Sequence, residues 1–86
     1  MSDDEGTLLA FPCDLPIKVF GRNEPRFRAA ALAIVRDHYE QFGIAEQESR
    51  GGTYLSLTIT VRAESKSQVD AVYRALTASE AILMVL

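Results

Sequence analysis

Chemistry on a protein needs nucleophiles, proton carriers or metal ligands at workable spacing, and few residues of this chain qualify. His38 is its only histidine and Cys13 its only cysteine. A histidine acts as a general base when a nucleophile or an orienting acid stands beside it. The spacing instead puts His38 on the apolar stripe of a helix, where it reads as a packing residue. A lone free cysteine commonly behaves as a small hydrophobe, and Cys13 is read so. Glu46 and Glu48 alternate onto one side of a weak strand, which suits an acid–base pair or a cation site, and equally suits a solvated strand edge. No CxxC or HxxxH spacing occurs. We therefore expect no catalysis, no metal and no cofactor.

Binding has better candidates. In "GRNEPRF", residues 21–27, a strand ending in glycine runs into a helix start, where free amides and the positive dipole end favour an anion. Gly21, Arg22 and Asn23 are the expected ligand residues, for a small anionic metabolite. The plainer role for Asn23 is to cap the helix, whose early Pro25 removes an amide that lacks an intrahelical partner anyway.

The elements that must position these residues follow from length, charge and periodicity. Eighty-six residues, 48% hydrophobic, make one small domain with a core, in a size range where stability is marginal and oligomerisation helps. The net charge is −3, but four of the 12 acids, Asp3, Asp4, Glu5 and Asp14, lie in or beside the N-terminal segment, and the remainder is near neutral. Lys18, Arg22, Arg26 and Arg28 form a basic patch with Glu24 among them, short of the basic face of a nucleic-acid binder. The acidic start "MSDDEGTLLA" lacks the basic region of a signal peptide, and no apolar run approaches the ~20 residues of a membrane span. With an unpaired cysteine, these features predict a soluble, cytoplasmic protein. Residues 1–13 read as an acidic, partly disordered segment and residues 14–86 as a single domain.

Leu15, Ile17 and Val19 alternate with Pro16, Lys18 and Phe20 as a half-buried first strand, ended by Gly21. Phe27, Ala31, Ile34, Val35, His38 and Phe42 recur at helical spacing and predict a first helix over about 24–42, stopped by Gly43. "IAEQESR" reads as a polar edge strand, and Gly51 and Gly52 supply the positive φ of a hairpin turn. In the next strand Leu55, Leu57, Ile59, Val61 and Ala63 face a core, while Tyr54, Ser56, Thr58, Thr60 and Arg62 face away. Ser65 and Gln68 make a capping box for a second helix striped by Val69, Val72, Tyr73 and Leu76 and ending near Ala78. "AILMVL" closes the chain as a fourth strand. This βαββαβ order predicts an α+β, ferredoxin-like sandwich: a four-stranded antiparallel sheet, first and third strands central, with both helices on one face.

Several pieces carry a family likeness: "FP" at 11–12, "KVFG" at 18–21, "GGTYLSLTITV" at 51–61, "QVDAVYRAL" at 68–76 and "MVL" at 84–86. Together they resemble the small bacterial YbeD-like family of uncharacterised proteins. The resemblance implies a ferredoxin-like fold similar to ACT-type regulatory domains, with no established activity. From Arg22 to Ser49 the likeness extends to length and helical pattern alone, so it implies no ligand residues there.

Two surfaces remain. RNA-recognition domains share the βαββαβ layout and stack bases on central-strand aromatics. Phe20 and Tyr54 could serve so, but Ser56, Thr58 and Thr60 stand where further aromatics would be expected. On the fourth strand Ile82, Met84 and Leu86 alternate with Leu83 and Val85, so both of its faces are apolar while helices cover one. That predicts an interaction surface, covered by a protein partner or a second copy of the chain, unless Leu8, Leu9 and Phe11 fold over it. The expected function is a non-catalytic regulatory or adaptor module binding a protein partner or small metabolite, with RNA binding as the alternative.

Overall fold

The structure, a computed structural model, describes residues 10–86. The acidic start and the cover by Leu8 and Leu9 fall on residues 1–9, outside the described residues. The elements are β1 (Cys13–Arg22), α1 (Pro25–Arg36), β2 (Phe42–Glu48), β3 (Tyr54–Ala63), α2 (Lys66–Ala78) and β4 (Met84–Val85). The sheet order is β2-β3-β1-β4, with every neighbouring pair antiparallel. This is the expected ferredoxin-like layout, central strands included.

Alternation along the strands builds the core. Ile17 and Val19 of β1 and Leu55, Leu57, Ile59 and Val61 of β3 join Phe27, Ala31 and Val35 of α1 and Val72 and Leu76 of α2 in one buried cluster. Both helices therefore cover the same face of the sheet. Apart from the hydroxyl of Tyr39, no polar or charged side chain is buried among the described residues. Pro16 sits in a central strand without costing a ladder bond to β3. Lys18 exchanges both backbone hydrogen bonds with Leu86, so the polar groups of Lys18, and of Pro16 two residues earlier, face the β4 side.

At the hairpin, Gly51 and Gly52 adopt φ of 87° and 76°, as the turn requires. Ser65 Oγ accepts from the Gln68 amide at 3.2 Å, and the Gln68 side chain accepts from the Glu64 amide, one residue earlier than a standard capping box.

Four expectations are corrected. β1 continues through Gly21 to Arg22. α1 stops at Arg36 rather than near 42, and Gly43 lies inside β2. The helix closes as the Asp37 amide donates to both Ala33 and Ile34 carbonyls, and Tyr39 then turns into the core. Phe42 reaches the same core from β2, opposite Val61, which is why the helical stripe continues past the helix. Asn23 does not cap α1: Glu24 occupies that position, and no side chain caps the helix. Finally, β4 shrinks to Met84–Val85, although backbone bonds from Leu83 to Phe20 and between Leu86 and Lys18 continue its pairing.

Candidate functional site

Cross-strand partners in an antiparallel ladder share a face, so the register assigns the side of the sheet that the helices leave open. Along β1 that face carries Asp14, Pro16, Lys18, Phe20 and Arg22; along β3 it carries Arg62, Thr60, Thr58, Ser56 and Tyr54. Gln47 of β2 and Met84 of β4 lie on it too, opposite Ser56 and Phe20 respectively.

Phe20 is thus flanked by Ser56 on β3 and Met84 on β4, with Tyr54 on the diagonal. The Arg22 guanidinium lies 5.9 Å from the centre of the Tyr54 ring, at the reach of a cation–π contact. Lys18, Phe20, Gln47, Tyr54 and Ser56 line a shallow hollow of about 300 Å³. Ser56 Oγ donates to the Gln47 carbonyl at 3.3 Å, tying β3 to β2 beneath it. Tyr54 is 48% exposed, Met84 51% and Leu86 63%, so the face presents real apolar surface. The structure therefore brings Phe20, Tyr54, Met84 and Leu86 onto one side.

Ile82 does not join them. It is 8% exposed and belongs to the core cluster, because the chain reaches β4 through a turn after α2 instead of an extended strand. Val85 also turns inward, toward the core.

The residues expected to cradle an anion point apart. Gly21 is buried under the Phe27 ring, Arg22 reaches the open face, and the Asn23 side chain donates to the Gly52 carbonyl at 3.0 Å. The amides of Asn23, Glu24 and Phe27 are committed to the carbonyls of Thr53, Arg22 and Glu24, and Pro25 has none. Asn23 is a clasp between the β1–α1 turn and the hairpin, a partnership no local pattern signals.

The other chemistry-bearing residues are placed as follows. His38 Nδ1 lies 3.0 Å from the Ile34 carbonyl, to which it donates as a local tether. Cys13 is half-buried at the start of β1. Glu46 accepts two hydrogen bonds of 2.8 Å from Arg28, joining β2 to α1. Those hydrogen bonds hold the Glu46 carboxyl below the usual carboxylate range and raise the guanidinium in turn. Among the described residues no group of three or more His, Cys, Asp or Glu side chains gathers at metal-binding distance. Tyr39, which the sequence reading passed over, is 7% exposed, and burial raises its phenol pKa.

A family model described as "Protein of unknown function (DUF493)" matches residues 6–86. A UPF0250 protein of Paraburkholderia phytofirmans is 40% identical over 89 positions that cover both chains completely. A UPF0250 protein of Nitrosomonas europaea is 38% identical across 95% of this chain and 98% of its own, and one of Bordetella pertussis is 41% identical across 95% and 93%. The likeness includes the segment from Arg22 to Ser49, where the quoted pieces stop, and so joins the fold's two halves. With the match running through both helices and all four strands, the chain belongs to this DUF493 family of small bacterial proteins, the YbeD-like family whose sequence pieces it carries.

Proposed function

We propose that this protein is a non-catalytic regulatory or adaptor module that docks a protein partner on the open face of its sheet, in the manner of the ACT-type domains its family resembles. One observation carries the reading: Phe20, Tyr54, Met84 and Leu86 share the side of the sheet that neither helix covers, beside a concavity. Contiguous exposed apolar surface on a small domain favours a partner over solvent. A protein suits this better than a small anion, because the amides of Asn23 and Glu24, where the strand turns into α1, are already committed and Pro25 has none. The hydroxyls of Ser56 and Tyr54 have no histidine beside them, since His38 follows α1 on the other side of the sheet. No helix is long and apolar enough to cross a membrane among the described residues. The reading puts the module in the cytoplasm, where a free Cys13 stays reduced.

A photo-crosslinking amino acid at position 84 tests it, with position 70 on α2 as the control. Discrete protein adducts from 84 that disappear with Phe20→Ala support docking. Adducts absent, or equal from both positions, reject it.

Single-stranded RNA is the second reading, favoured by the seating of Phe20 and Tyr54 on the two central strands. Tight binding of a heteropolymer at physiological salt, weakened ~1–3 kcal/mol by Tyr54→Ala or Phe20→Ala, is the result that would establish it.

A further inference from the structure

The open face has a charge pattern as well as an apolar one. Lys18 and Arg22 flank Phe20 on β1, all three on the same side. Same-face residues of a strand recur at roughly 7 Å, so the two cations stand roughly 14 Å apart with the phenyl ring between them. The ion pairs among the described residues are Arg28–Glu46, Arg62–Asp14 and Lys66–Asp70, and neither Lys18 nor Arg22 takes part in one. Asp14, the carboxylate that the register puts on this face, is held by Arg62 at the far end of β1. Glu48 borders the hollow, but its partner across the ladder is Leu55, which places it on the helix side.

This arrangement decides among occupants. A second copy docked face to face, Phe20 over Phe20, would set Lys18 and Arg22 against the same cations, and the one carboxylate that the described residues put on this face, Asp14, is already held by Arg62. RNA would meet two cations on a chain whose net charge is −3, beside the aliphatic side chains of Met84 and Leu86. A peptide with carboxylates and an aliphatic side chain satisfies both the charge and the apolar strip.

Resting on the docking-face reading above, we propose that the occupant is an extended acidic segment of another protein, in which a carboxylate, an apolar side chain and a second carboxylate recur at two-residue spacing. The apolar side chain sits over Phe20 and Met84, and the carboxylates meet Lys18 and Arg22.

The test is an NMR titration of the full chain with the capped peptide Gly-Glu-Ser-Leu-Ser-Glu-Gly. Saturable shifts should concentrate at Lys18, Phe20, Arg22, Tyr54 and Met84 and weaken as salt rises. Lys18→Glu with Arg22→Glu should weaken this peptide on the order of tenfold and restore affinity for a version with lysines replacing its glutamates, since each exposed pair contributes modestly. Lys18→Gln with Arg22→Gln, a milder change at exposed positions, should weaken the acidic peptide and bring the two versions toward equal affinity. Equal binding of the neutral peptide Gly-Ser-Ser-Leu-Ser-Ser-Gly, indifferent to the charge swap, overturns the acidic preference and leaves the docking face standing. No shift with any peptide overturns the inference; a blank crosslink at position 84 then removes the docking face as well. A heteropolymeric RNA oligomer that moves these residues when the acidic peptide does not overturns it in favour of RNA.

Discussion

The ring of Phe27 lies so close over Gly21 that a Cβ on the glycine would stand 2.6 Å from both Cγ and Cε1. Phe27 is 1% exposed and cannot swing away, so the strand must approach the helix without a side chain at this point. Gly21→Ala is therefore expected to destabilise the fold by about 1–3 kcal/mol, the cost of overpacking. Phe27→Leu in the same chain should recover part of that loss. Urea unfolding of the two single variants and the double variant measures the coupling.

Asn23 offers a sharper test, because its two possible roles answer differently to aspartate. As a helix cap, aspartate would replace it without loss. As the donor to the Gly52 carbonyl, it cannot be so replaced, for a carboxylate facing a carbonyl only repels. Asn23→Asp should thus cost at least as much as Asn23→Ala, about 0.5–1.5 kcal/mol by denaturant midpoint. A neutral Asn23→Asp would return the residue to capping.

The Tyr39 hydroxyl is buried without a hydrogen-bond partner among the described residues. Replacing a buried, unpaired hydroxyl by hydrogen removes a desolvation cost and leaves the packing intact. Tyr39→Phe is expected to stabilise the protein by about 1 kcal/mol. A destabilised variant would mean that the hydroxyl is bonded after all.

Hydrogen bonds from Arg28 depress the Glu46 carboxyl in the folded state. A depressed folded pKa means that the pair's contribution is present above the unfolded carboxylate pKa and is lost as pH falls through the lower, folded one. Glu46 should therefore titrate below the ordinary glutamate value in an NMR side-chain titration, and Arg28→Gln should move it back toward that value. Both partners are solvent-exposed, so the accompanying change in stability should be small.

Local periodicity was enough to define most of the fold. The two-residue alternation from Tyr54 to Ala63 sorted core from open face without error, and Gly51–Gly52, Ser65 and Pro25 marked the turn and helix starts. These signals are legible because each reports a constraint within a few residues: which face is apolar, which φ is needed, which amide lacks a partner. The open face with Phe20 and Tyr54 was readable for the same reason. Tertiary contacts decided the rest. The stripe through His38 and Phe42 fits a longer helix, yet pairing of Phe42 with Val61 requires a strand there. Ile82 alternates with Met84 and Leu86 in sequence, but the turn after α2 buries it in the core. Asn23 meets Gly52, and Arg28 meets Glu46, across gaps that leave no periodic trace. A residue's partner in such contacts is fixed by how the layers close on one another, and a single sequence records the surfaces to be closed without recording which groups will meet at their edges.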